Sequence, residues 1–188
     1  MRKITAYIFT TLNGFYKTPD EDISWHRHGE EELKYSEMML ALENVLLFGR
    51  KTFEHMAAFW PTDMAKEMFP EVAKGMNKAE KLVFSKTTIE VNWENTQLVN
   101  GDIVEKIRLL KQSPGKDLTI LGSGSIVTLF TDHQLIDEYE IMIDPVALGE
   151  GTTIFSGIKN KLNLELTNVK TFKSGVILLC YKSLKFNL

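Results

Sequence analysis

Val45-Leu46-Leu47-Phe48-Gly49-Arg50-Lys51-Thr52 decides how this chain is read. Four consecutive apolar residues, two of them too bulky for a loop, end at a glycine, and two cations and a hydroxyl then open a stretch with helical spacing through Phe53 and Met56. A strand apolar on both faces belongs in the middle of a sheet that helices cover on both sides. Lys81-Leu82-Val83-Phe84 closed by Ser85 repeats the pattern, and Leu118-Thr119-Ile120-Leu121 closed by Gly122 is a third instance. Helical periodicity precedes or follows each of them, over 30–43, 103–111 and 125–130, with acids early in the first of these, where they complement the helix dipole. The Met- and Phe-rich segment 59–77 is a further helical or irregular excursion.

Outward from this centre the texture is that of strands. Residues 4–9 are β-branched and aromatic and stop at Asn13-Gly14, a strong turn dipeptide. Segments 136–143, 162–172 and 176–182 are strand-like, with Lys173-Ser174-Gly175 as the turn of a C-terminal hairpin. The expected fold class is α/β: helices on both faces of a mixed, mainly parallel sheet with an antiparallel C-terminal edge. The chain has 188 residues, 22 Lys plus Arg against 25 Asp plus Glu, and 44% hydrophobic content. Those figures describe one domain spanning 1–188, long enough for a sizeable core. No basic block marks a nucleic-acid surface. A single cysteine, Cys180, excludes an internal disulfide and fits a reducing compartment. The longest apolar run, 176–181, is far short of the ~20 residues of a membrane helix, so a cytoplasmic protein is expected.

Three strand ends carry the chemistry. Helix N-termini favour anions, so Arg50 and Lys51 oppose the dipole unless a phosphate shares the site; the alternative is a solvated cation pair. Gly122-Ser123-Gly124-Ser125-Ile126 again joins a strand to a helix through glycines, which admit a close backbone approach to a pyrophosphate. As a dinucleotide fingerprint it departs at its sixth position, Val127, and a plain tight turn is the alternative. Phe84-Ser85-Lys86-Thr87-Thr88 adds a hydroxyl and a cation. Ligands of open α/β sheets bind beyond the carboxyl ends of the strands, where these three segments would meet. A cation pair beside a dinucleotide suits a 2′-phosphate, which favours NADPH over NADH.

These segments, together with Thr11-Leu12-Asn13-Gly14, Leu135-Ile136-Asp137-Glu138-Tyr139 and Pro145-Val146-Ala147-Leu148-Gly149-Glu150-Gly151, resemble the dihydrofolate reductase-like superfamily, most of all the branch with the reductase domain of bacterial riboflavin biosynthesis. The resemblance covers nearly the whole chain. It implies a three-layer fold, NADPH as hydride donor, and a planar heterocyclic acceptor of pterin or pyrimidine type. It assigns Gly49, Arg50, Lys51 and Thr52 to the 2′-phosphate and pyrophosphate, Ser85 and Lys86 to the adenosine side, Gly122, Ser123, Gly124, Ser125 and Ile126 to the pyrophosphate, and Gly14 to a loop over the nicotinamide. It further implies a homodimer formed near the C-terminal strands. The rival expectation is a catalytically silent NADP(H)-binding module.

On the substrate side the acid of the folate enzymes is replaced by Leu33, with Glu32 and Glu37 nearby. Asp20, Glu21 and Asp22 precede Trp25 in the loop after the first strand. Asp22 and Glu37 are therefore the candidate proton donors, because hydride addition to C=N or C=O needs a proton from a side chain or water. Trp25, Phe59 and Trp60 are candidate walls of an apolar pocket, and Met56, Met64, Met68 and Met76 deformable packing or a lid. His26-Arg27-His28 reads as surface loop rather than a metal site, and no metal is expected. Cys180 reads as an inert thiol, and Ser123 and Ser125 do not form a hydrolase elbow.

Overall fold

Apolar runs and the turn residues between them set the order of elements. The computed structural model describes residues 1–87 and 89–184; Thr88, part of the third strand-end motif, lies outside the described residues. In chain order the elements are β1 (Ile4–Thr11), β2 (Phe15–Lys17), α1 (Glu30–Ala41), β3 (Val45–Gly49), α2 (Arg50–Phe59), α3 (Asp63–Met68), α4 (Pro70–Lys78) and β4 (Lys81–Phe84). There follow β5 (Thr96–Val99), α5 (Ile103–Gln112), β6 (Leu118–Leu121), α6 (Gly124–Asp132), β7 (Glu138–Asp144), β8 (Thr152–Thr153), β9 (Leu164–Thr171) and β10 (Ile177–Ser183).

One sheet takes the order β5-β4-β3-β6-β1-β7-β10-β9, while β2 and β8 make a separate ribbon. From β5 to β7 all pairings are parallel, with Ile4 beside Leu118, Ala6 beside Tyr139 and Leu46 beside Lys81. Strand β10 then runs antiparallel to β7 and to β9, its ladder with β9 interrupted by an irregularity between Cys180 and Tyr181. This is the expected mixed, mainly parallel α/β sheet. Alternation along β1 distributes its side chains between the layers: Ile4, Ala6 and Ile8 pack with Ile107, Val127 and Phe130 from α5 and α6. Tyr7 faces the other way with Tyr35 of α1, Met142 and Leu178. Farther along that second face, Leu46, Phe48 and Val83 lie under Phe53 of α2 and Val72 and Met76 of α4. Each such fully buried side chain contributes roughly 1.5–3 kcal/mol.

Boundaries shift for local reasons. Helix α1 ends at Ala41 rather than 43 because Glu43 takes φ +56°, its N–H bonding Leu40 O at 3.1 Å. The 59–77 excursion resolves into the end of α2 and two short helices, α3 opened by Thr62, whose hydroxyl accepts from Ala65 N–H at 3.2 Å, and α4 opened by Pro70. A Cβ on Gly75 would fall 2.9 Å from Leu40 Cβ, so that glycine lets α4 close onto α1. The hairpin turn forms at Lys173-Ser174-Gly175, Gly175 having φ +91°. Edge strand β5 and the β2/β8 ribbon have no counterpart in the sequence reading; Asn95 at φ +58° before β5 and Asn100-Gly101 after it were the available signal. No helix among the described residues is long and apolar enough to cross a membrane.

Candidate functional site

Strands β4, β3, β6 and β1 are neighbours, so their carboxyl ends open on one place. A cleft of about 950 Å³ lies there, and Gly49, Arg50, Lys51, Thr52, Ser85 and Lys86 line it together with Gly122, Ser123, Gly124, Ser125 and Ile126. The expected strand-end residues thus converge. Their backbone is tied across the gap: Gly49 N–H donates to the buried Ser123 Oγ at 2.7 Å, joining the end of β3 to the start of α6. A Cβ on Gly49 would press on Ile126 at 3.3 Å. Gly122 (φ +57°) and Ser123 (φ +59°) are both left-handed.

Helices α2 and α6 differ from the others. Neither has a side-chain cap and neither has an acid in its first turn. By contrast α1 begins with Glu30, Glu31 and Glu32, α3 and α5 are capped by Thr62 and Asp102, and α4 carries Glu71. The two helices whose N-terminal N–H groups lack an internal anion are the two that meet at this cleft. The cations around them are engaged with acids. Lys51 Nζ lies 2.7 Å from Glu21 Oε1, Lys17 reaches the same oxygen at 2.8 Å, and Arg50 bonds Glu54 at 2.9 Å. Hydrogen bonds from the two lysines hold the Glu21 carboxyl down to about 2. Glu21 itself adopts φ +70°. Tyr16 of β2 rests on Gly124, where a Cβ would meet its ring and hydroxyl at 2.5 Å.

Other expected residues stand elsewhere. Gly14 (φ +84°) is not on the cleft wall: its turn is fastened to the 148–154 segment by Asn13 Nδ2 donating to Leu148 O at 2.7 Å and Ile154 N–H to Gly14 O at 3.4 Å. Asp22 is exposed and accepts from Ser24 N–H and Oγ at 3.0 and 2.6 Å. Glu37 follows Ser36 on α1, and the ~100° between helical neighbours turns it away from the wall that Ser36 lines. Of the proposed apolar walls Trp60 lines the cleft; Phe59 stacks edge-on against Trp60 outside it, and Trp25 packs at 6.4 Å against His26.

The histidine segment is a correction. His26 is buried, not a surface residue, because its Nδ1 lies 2.7 Å from Oδ2 of the fully buried Asp144, whose Oδ1 accepts Arg27 N–H at 2.8 Å. Its ring stacks on Phe9 at 3.7 Å, so Asp144 anchors a loop against β1. Glu32 is likewise buried, accepting from Ser174 Oγ in the hairpin turn. Burial raises the Cys180 thiol to about 11, in keeping with an inert thiol. Among the described residues no group of three metal-ligating side chains occurs.

Sequence reading missed Tyr7, Tyr16 and Ser36, all on the cleft wall. Tyr7 was detectable from the period-2 alternation in β1, which puts it opposite Ala6 and Ile8.

Comparison with known proteins identifies the family and the fold. The family profile described as RibD C-terminal domain matches residues 2–178, and the chain belongs to that family. It is 31% identical over 180 residues to the uncharacterized protein YyaP of Bacillus subtilis (strain 168), covering 96% of this chain and 94% of that one. Its fold is similar to a putative riboflavin biosynthesis protein from Shewanella sp. PV-4, with TM-score 0.73, 20% identity and coverage of 97% and 99%. It is also similar to dihydrofolate reductase from Enterococcus faecalis in complex with NADP(H), with TM-score 0.63, 16% identity and 96% of each chain covered.

Proposed function

We propose that this chain is an NADPH-dependent reductase of a small, flat, heterocyclic acceptor. The observation that carries the reading is the meeting of two acid-free, uncapped helix N-termini, α2 and α6, with Arg50 and Lys51 beside them at the carboxyl ends of parallel strands. That arrangement fits a dinucleotide: the left-handed pair at 122–123 presents backbone amides, and a Cβ on Gly122 would find only Thr52, at 3.7 Å. When bound, NADPH supplies the hydride. The chain's own part is to hold the pyrophosphate on the amides of α6 and the 2′-phosphate by Arg50 and Lys51, and to exclude water with Tyr16 and Trp60. Membership of the RibD C-terminal domain family and the shared fold with an NADP(H)-binding reductase support the same reading.

A phosphate at Lys51 must displace Glu21, so Glu21 occupies the lysine pair until then. One observation favours the silent-module alternative: Glu21 is the sole carboxylate on the cleft wall among the described residues. The test is titration with both coenzymes. In Arg50→Ala/Lys51→Ala, NADPH affinity falls by a larger factor than NADH affinity; equal losses refute the 2′-phosphate assignment. Oxidation of NADPH on adding carbonyl or imine acceptors separates the reductase from the silent module.

A further inference from the structure

The cleft is chemically divided. Its acidic and basic side chains are Lys17, Glu21, Arg50, Lys51, His55 and Lys86. Five of these sit on the ribbon strand β2 and the turn after it, the opening of α2, or the residue after Ser85, the segments that border the phosphate end. His55 is exposed on α2, one turn beyond Lys51. The other half is closed by α1, α2 and α4 over the sheet. Its walls are Met39 and Leu40, Met56 and Trp60, and Met76, and Leu121 of β6 joins the core beneath α2 and α4 to the one beneath α1.

Polar groups in this half are nearly all committed. Trp60 Nε1–H points to Met56 Sδ at 3.0 Å, and Thr119 Oγ1 accepts from Asn44 at 3.1 Å. The helix acid that could have met a charged heterocycle, Glu32, is spent on the Ser174 hydroxyl. What remains is the Tyr7 hydroxyl with the Ser36 side chain beside it. Tyr7 O–H donates to Met142 Sδ at 3.3 Å, a weak acceptor that a carbonyl oxygen would displace. Burial raises the Tyr7 phenol well above its ordinary value, so it remains a donor at neutral pH. Three methionines on the wall let the pocket adapt to flat ligands of different outline.

We propose that this half is built for a neutral, planar, largely apolar molecule presenting one hydrogen-bond-accepting oxygen to Tyr7 and Ser36, and that it rejects anions such as phosphorylated pyrimidines and folates. The inference rests on the reading of the opposite half as the dinucleotide site. An anion here would lose its hydration without a cation to replace it.

Isothermal titration of the intact protein, saturated with NADPH so that the phosphate end is filled, tests this with coumarin, coumarin-3-carboxylate and uridine 5′-monophosphate. Coumarin is expected to bind at least about ten-fold tighter than its carboxylate, and the nucleotide not measurably. Tyr7→Phe, which keeps the ring, is expected to weaken coumarin about two- to ten-fold. Equal or tighter binding of either anion, or no coumarin binding at all, overturns the inference while NADPH binding leaves the dinucleotide-site reading standing. Failure to bind NADPH removes that reading instead, and a preference for coumarin in the free protein would still stand as a property of the apolar half.

Discussion

Ser123 carries two opposed contributions that substitution separates. Its backbone is left-handed at φ +59° and ψ +63°, a conformation that costs an L-residue roughly 1–2 kcal/mol. Its buried hydroxyl accepts the Gly49 N–H at 2.7 Å, and an N–H left there without an acceptor costs about 1–3 kcal/mol. Ser123→Ala loses the bond and keeps the strain, so it is expected to destabilise by about 1–3 kcal/mol. Ser123→Gly loses the same bond but removes the strain, less the ~0.4–1 kcal/mol of extra freedom glycine brings to the unfolded chain. The glycine variant should therefore be more stable than the alanine variant by up to about 1.6 kcal/mol, which for a chain of this length is at most roughly 3–6 °C in Tm. Urea unfolding followed by circular dichroism, with unchanged m-values, measures both. Because the bond ties β3 to α6, both variants should also bind NADPH more weakly than the parent. An alanine variant as stable as the parent, or a glycine variant less stable than the alanine one, would refute the reasoning.

Lys81 is almost fully buried, its ammonium bonded to the carbonyls of Asn77, Ala79 and Glu94 at 3.1, 2.6 and 3.0 Å and lying 4.5 Å over Trp93. Burial pushes it down to about 8, whereas the unfolded chain keeps that proton to about 10.4. Between these values the unfolded state binds more protons, so stability rises with pH across that window, by at most about 3 kcal/mol. The measurement is the difference between the parent and Lys81→Met in unfolding free energy at pH 7.5 and 10.5; parallel profiles would refute it. Asp144→Ala strips the acceptor from buried His26 and from Arg27 N–H and should cost about 3–5 kcal/mol in urea unfolding, and a loss below about 1 kcal/mol would contradict the anchoring role.

How much of this was legible in the sequence depends on the range of the interaction that decides each feature. Val45–Phe48, Leu82–Phe84 and Leu118–Leu121 announce buried parallel strands because burial on both faces leaves no room for alternation. Strand-end glycines and cations announce the strand-end wall of the cleft because βα turns place their own next residues there. Strand β5 was missed because an edge strand of four half-exposed residues has little apolar content to show. The β2/β8 ribbon was missed because its pairing joins Phe15 to Thr153, a contact that no local pattern encodes.

The same distinction explains the histidines and the acids. His26 reads as a surface loop residue by its neighbours, and only the fold brings Asp144 under it from a strand more than a hundred positions away. Glu32 sits among Glu30 and Glu31 and reads as part of a solvated helix face, yet the hairpin turn buries it under Ser174, while Glu31 beside it accepts the Lys173 N–H at 2.8 Å and stays half-exposed. Choosing which of several like residues is buried requires the packing of α1 against the C-terminal hairpin, a tertiary contact. The apolar half of the cleft belongs to this second kind: α1, α2 and α4 each contribute part of its wall, and no one of them carries its pattern by itself. Its shape is therefore set by packing between helices, whereas the strand-end wall is set within single turns.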